Sequence, residues 1–174
     1  DFVHVSCFDE PAKNIKGIVD AFAEYVRLGL KGSLTIIGDG PDYKSVFAYA
    51  EATKLVGSRI SFTGLMEGEE LASRMRKADA LVMFSNYENL PCTIVESLCC
   101  GVPVISTDVG GISEFVNQTN GILIQPREVP DLVSAMRETA SGLFNGKKQE
   151  IAAYGSRHFS MESLSQNFKQ VYEL

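Results

Sequence analysis

The sequence predicts an α/β domain built on a doubly wound, mostly parallel sheet with helices on both faces. Three observations carry that prediction. Short apolar runs recur along the chain, each closed by Gly, Pro, Asp or Asn. The runs are apolar throughout rather than alternating, as strands covered on both faces are. Segments with helical spacing of apolar residues separate them, the pattern of repeated βαβ units. With 174 residues, 45% of them hydrophobic, one domain covering residues 1–174 is expected, with enough apolar side chain for a core.

In order, Phe2-Val3-His4-Val5-Ser6 reads as the first strand, and Asp9-Glu10-Pro11 as the polar turn that ends it. Ile15, Ile18, Val19, Phe22 and Val26 recur at helical spacing and predict a helix over residues 14–30. Leu34-Thr35-Ile36-Ile37 is the second strand, stopped by Gly38-Asp39-Gly40-Pro41; the helix from residue 42 is expected to turn Val46, Tyr49, Ala50 and Thr53 inward. Ile60-Ser61-Phe62-Thr63 is the third strand. A helix over 67–77 leads to a fourth, Ala80-Leu81-Val82-Met83-Phe84. Pro91 suits a helix start and Gly101 the position past its end, so 91–100 is a short helix before a fifth strand over 102–105. Gly121-Ile122-Leu123-Ile124 is the sixth strand. Helices follow over 129–144, with Leu132, Met136 and Ala140 at intervals of four, over 147–158 and over 161–174.

The segment over residues 84–111 holds the densest chemistry. It runs from a strand through a polar loop into a helix start, with Glu88 before the helix and Glu96 inside it, and ligands of open parallel sheets gather at this carboxyl edge. The first-turn N–H groups and the macrodipole of such a helix favour a phosphate, by about 0.3–1 kcal/mol for the dipole alone. Carboxylates on either side can accept hydrogen bonds from the hydroxyls of a nucleotide sugar. A plainer reading stands beside this one, in which Glu88 supports the helix dipole and Glu96 is solvated. Gly38-Asp39-Gly40-Pro41 lacks the third glycine of a dinucleotide loop and reads better as a tight turn. Lys13, before the first long helix, is able to serve a diphosphate or to be an ordinary surface lysine. Val109-Gly110-Gly111 is a turn that either approaches a ligand or serves structure alone.

Other classes recede on composition. A net charge of −6 argues against a nucleic-acid footprint. No apolar run reaches eighteen residues and no signal peptide precedes Asp1. The absence of an initiating Met suggests a piece of a longer protein. Cys7, Cys92, Cys99 and Cys100 match no zinc spacing, so reduced, buried thiols and a cytoplasmic setting are expected. His4 and His158 are lone histidines, and no metal site is expected. A dinucleotide-dependent oxidoreductase needs a glycine turn where this chain has Ser6-Cys7-Phe8-Asp9.

Taken together, Lys13, Ile36-Ile37-Gly38-Asp39-Gly40-Pro41, Phe62-Thr63-Gly64, Glu88 to Glu96, Gly101-Val102-Pro103-Val104-Ile105 and Gly110-Gly111-Ile112-Ser113-Glu114 resemble the carboxy-terminal domain of the retaining glycosyltransferases of family 4. That domain is the Rossmann-like, donor-binding half of a GT-B fold, and the resemblance covers nearly all of the chain. It implies that Glu88, the candidate catalytic residue, contacts the donor sugar and orients it without acting as a nucleophile. It implies that Asn89 and Leu90 lie by the sugar, that Lys13, Cys92 and Thr93 serve the diphosphate, that Glu96 binds the ribose and that Leu65 lies by the base. No cofactor is implied: a UDP- or GDP-linked sugar is the substrate, and the expected partner is the protein's own amino-terminal domain, through which alone a peripheral membrane contact would come. The chain departs from the family pattern at Cys7, where an Arg is usual, and at Pro91, which has no N–H to offer. This half alone is expected to transfer nothing. A non-catalytic sugar-nucleotide sensor or interaction domain of the same fold is the alternative.

Overall fold

The computed structural model describes residues 1–172. Six parallel strands form one sheet: β1 (Phe2–Val5), β2 (Leu34–Ile37), β3 (Ile60–Phe62), β4 (Ala80–Met83), β5 (Val104–Thr107) and β6 (Gly121–Ile124), in the order β3-β2-β1-β4-β5-β6. β1 pairs with β2 through Phe2↔Leu34 to Val5↔Ile37, and with β4 through Phe2↔Ala80 and Val3↔Leu81. The order reverses between β1 and β4, so the connections leaving these two strands diverge to opposite sides and open a crevice at their carboxyl ends.

Each strand expected from an apolar run is present, within two residues at either end. β1, β2, β4 and β5 are buried along their whole length, which is why they read as continuous apolar runs. α2 (Ile15–Arg27), α3 (Tyr43–Ala52) and α6 (Val129–Ala140) cover one face, where Phe22, Tyr25, Val46, Leu132 and Met136 meet Phe2, Leu34, Ile36 and Val82. α4 (Gly68–Met75), α5 (Cys92–Cys99) and α7 (Lys148–Phe159) cover the other, with Met75, Ile94, Leu98 and Ile151 against Val3, Val5, Leu81 and Met83. A turn of 3-10 helix, Ile112–Glu114, follows β5, and α8 (Met161–Tyr172) closes the described chain; the Glu173 and Leu174 end of the expected last helix lies outside the described residues.

Several details differ from the expectation. Residues 9–11 are not a plain turn, because Glu10–Lys13 forms a one-turn helix, α1; four residues hold too little of a helical period to be visible. Tyr49 is exposed, and on α6 the four-residue spacing holds inward for Leu132 and Met136 while Ala140 is exposed and Thr139 beside it is buried. The cysteines are free thiols but not buried ones: Cys7, Cys92 and Cys99 are exposed and Cys100 is half-buried. Cys7 lies in a loop and Cys92 at a helix start, places the core does not reach.

Candidate functional site

The β4–α5 connection carries the chain to the crevice. After β4 the chain buries Phe84 and Ser85, turns at Asn86 and Tyr87, and brings Glu88 back inside with only 7% of its surface exposed. A carboxylate so far from water needs partners, and it has two on one oxygen. Lys13 Nζ donates to Glu88 Oε1 at 2.6 Å and Ser85 Oγ donates to the same atom at 2.8 Å. Glu88 Oε2 accepts no hydrogen bond among the described residues, yet is not sealed from solvent.

Lys13 reaches across 75 residues because α1 holds it there. Asp9 caps α1 by accepting from Ala12 N, and Asn14, in the left-handed region at φ 49°, turns the chain sharply into α2. The main-chain N–H of Asn86 donates to Ala12 O at 2.7 Å, and Asn86 Nδ2 donates to Pro11 O at 3.0 Å, so the two loops that carry Lys13 and Glu88 are tied directly. The exit of β5 grips the same loop from the other side. Thr107 Oγ1 donates to Ser85 O at 2.7 Å and Gly111 N donates to Asn89 O at 2.8 Å. Gly110 lies at φ 59°, and a Cβ there would meet Glu88 O at 1.9 Å. The Val109-Gly110-Gly111 turn is therefore a latch on the Glu88 loop, made possible by the missing side chain.

The helix starts that follow the two central strands, those of α2 after β1 and of α5 after β4, differ. The N-terminus of α2 is occupied: Glu10 accepts from Ile15 N at 2.9 Å and from Lys16 N at 3.1 Å, although burial pushes its carboxyl above the usual range. The N-terminus of α5 is open. The N–H groups of Cys92 and Thr93 make no hydrogen bond among the described residues, and Pro91 precedes them as the cap residue with φ −65°. Glu96, one turn further along α5, is exposed; its carboxylate accepts no hydrogen bond among the described residues and is pushed up by partial burial. Asn89 is exposed and Leu90 half-buried at the mouth of the loop. Leu65 is 71% exposed after β3, where Gly38 N donates to Gly64 O at 2.9 Å.

The Gly38-Asp39-Gly40-Pro41 loop is the tight turn expected of it. Phe8 N donates to Asp39 O, Asp42 N donates to Phe8 O, and a Cβ on Gly40 would meet Phe8 N at 2.6 Å. The backbone is knitted to a neighbouring loop, and its Gly38 and Gly40 N–H groups are already committed, to Gly64 O and to Asp39 Oδ1. Behind the crevice, His4 is wholly buried in β1. Val82 O can only accept, so His4 Nδ1 carries the proton and donates at 2.8 Å, and Ser6 Oγ donates to Nε2 at 2.7 Å. Burial pulls its pKa down to about 4, a neutral imidazole under ordinary conditions. Among the described residues no three His, Cys, Asp or Glu side chains gather as metal ligands, and no helix is long and apolar enough to cross a membrane.

Lys13 and Glu88 are thus brought together, while Glu96 stands apart on the solvent side of α5. Ser85, Thr107, Glu10 and Gly110 complete the arrangement. A serine three residues before a glutamate at a strand exit was the available signal for Ser85. Nothing local pointed to Glu10.

The family described as glycosyl transferases group 1 matches residues 1–141. An uncharacterized glycosyltransferase of Methanocaldococcus jannaschii is 31% identical over 169 residues, covering 94% of this chain and 45% of the relative. Glycogen synthase of Mycobacterium tuberculosis is 28% identical over 163 residues, 90% of this chain and 39% of the relative. The lipopolysaccharide outer core galactosyltransferase WaaB superposes with a TM-score of 0.82 at 22% identity, over 99% of this chain and 48% of the other. Anabaena HepE in complex with UDP does so with a TM-score of 0.82 at 23% identity, again over 99% and 48%. The chain spans less than half the length of these relatives.

Proposed function

The chain belongs to the glycosyl transferases of group 1, and on that premise we propose that it holds the nucleotide-sugar donor for a retaining, metal-independent hexosyl transfer to a sugar or lipid-linked acceptor. The observation that carries this reading is the meeting, at the carboxyl ends of β1 and β4, of a buried carboxylate with one free oxygen, a lysine and an open helix start. A nucleotide sugar offers matching groups in one line: hydroxyls for Glu88 Oε2, a diphosphate for Lys13 and the N–H groups of Cys92 and Thr93, and a ribose for Glu96. Asn89 and Leu90 lie along the sugar, and exposed Leu65 along the base.

The residues divide the work by charge. As the bond between the anomeric carbon and the diphosphate oxygen breaks, its electron pair leaves with the nucleoside diphosphate. Lys13 and the α5 N-terminus then stabilise charge that is greater in the transition state than in the ground state, which is what accelerates a step. Glu88 fixes the sugar so that the acceptor meets the carbon from the face the nucleotide leaves, the requirement for retention. Water exclusion and the acceptor belong to an amino-terminal domain of the full-length protein, cytoplasmic in this reading, and the present half alone turns nothing over. Exposed Cys7, where the family has a cationic Arg, favours as a second reading a sugar-nucleotide sensor that binds without transfer.

Calorimetric titration of UDP and GDP tests the binding claim. One of them binds, and Glu96→Ala weakens it by about 1.5–3 kcal/mol, the usual contribution of a hydrogen bond to a charged group. Unchanged affinity removes Glu96 from the ribose. Turnover of a nucleotide sugar by the full-length protein separates enzyme from sensor.

A further inference from the structure

The contacts of Glu88 are unevenly placed. Both Lys13 and Ser85 donate to Oε1, and neither touches Oε2. Lys13 is a shared resource, since in the reading above its ammonium also faces the donor diphosphate. A lysine has one charge on a flexible stem, and a diphosphate draws it strongly. Ser85 has no such competitor. Its hydroxyl is wholly buried, its carbonyl is fixed by Thr107 Oγ1 at 2.7 Å, and the next residue, Asn86, is bonded to α1.

We propose that Ser85 is the positioning residue of the site: it keeps the Glu88 carboxylate from rotating once Lys13 turns to the diphosphate, so that Oε2 stays aimed at the sugar. This inference rests on the assignment of Glu88 to the donor sugar. Ser85 acts through Glu88 and touches no substrate itself. The cost of losing it therefore falls on recognition of the sugar and leaves recognition of the nucleotide unaltered, a split that general damage to the fold would not produce.

The test compares Ser85→Ala, Ser85→Thr and the unsubstituted full-length protein in two measurements: kcat/KM for the nucleotide sugar, and the Kd for the nucleoside diphosphate alone. Loss of a hydrogen bond to a charged group predicts that Ser85→Ala lowers kcat/KM by about tenfold or more. Its diphosphate Kd stays within about twofold, and Ser85→Thr, which keeps a hydroxyl, recovers most of the loss. Should Ser85→Ala not fold, Ser85→Cys, close in volume and a poor donor, carries the same expectation. Unchanged kcat/KM overturns the inference, as does a loss matched by an equal loss of diphosphate affinity. If the unsubstituted protein binds no nucleoside diphosphate, the functional reading itself fails and takes this inference with it.

Discussion

Replacing Gly110 by alanine perturbs the latch between β5 and the Glu88 loop, and its effect follows from two numbers. The residue lies at φ 59°, where a side chain raises the energy by about 1–2 kcal/mol. The new Cβ would also stand 1.9 Å from Glu88 O and 2.9 Å from Asn89 O, where contacts under 3.0 Å are essentially never found. The two backbones must part by about 1 Å, which breaks the 2.8 Å bond from Gly111 N to Asn89 O, another 1 kcal/mol or so. Gly57 supplies the control, because it lies at φ 81° with nothing within 4 Å of its would-be Cβ. Gly57→Ala carries the conformational cost alone. In urea denaturation at constant m-value, Gly110→Ala is expected to lose about 2–3 kcal/mol and Gly57→Ala about 1–2. On the proposed function, a shift of this size beside the proposed sugar site is expected to lower kcat/KM of the full-length protein by up to about a hundredfold, whereas Gly57→Ala stays near normal. Equal stability losses in the two variants, together with normal kinetics in Gly110→Ala, would refute the latch.

Acid titration tests His4. Its folded pKa of about 4 lies below the ordinary value of 6.5, so the unfolded chain takes up the proton first and stability is lost as pH falls from about 6.5 to about 4. The loss approaches about 3 kcal/mol, at 1.36 kcal/mol per unit, and a His4→Gln variant should flatten that part of the stability–pH curve; an unflattened curve assigns the loss elsewhere. Gly17→Ala places a Cβ 2.7 Å from the buried ring of Phe84, so overpacking is expected to cost about 1–3 kcal/mol by thermal or chemical denaturation. Because Phe84 adjoins Ser85, its displacement should also weaken sugar-nucleotide turnover, and a stable variant with normal kinetics would show that the ring yields freely.

Much of the fold was legible in the sequence because its signals are local. β2 and β6 match their apolar runs residue for residue, and the inward face of α2 follows the spacing of Ile15, Ile18, Val19 and Phe22. The expected inward turn of Tyr49 failed because α3 lies toward an edge of the sheet, so that Val46 and Ala50 alone are buried along it and the Tyr49 hydroxyl instead donates to Asp20 Oδ1 at the surface. The cysteines were misplaced because a tendency to burial is an average over proteins, whereas exposure is set by where a loop ends. At the site, Glu88, Glu96 and the open start of α5 were visible as a motif. The plug of Glu10 on α2 was not: its carboxylate reaches N–H groups five and six residues on by way of a left-handed turn at Asn14, and spacing alone does not announce that geometry.

The sequence by itself determined the alternation of strand and helix and the residue types at the candidate site, since hydrophobic period, turn chemistry and a helix start are properties of neighbouring residues. Tertiary structure decided the rest. It fixed the strand order that opens a crevice between β1 and β4, the pairing of Lys13 with Glu88 across 75 residues, and the convergence of Ser85, Thr107 and Gly110 on one loop. A carboxylate is indifferent to position until the fold removes its water. Here burial obliged Glu88 to find Lys13 and Ser85, and the atom they left free is the one the proposed donor would meet.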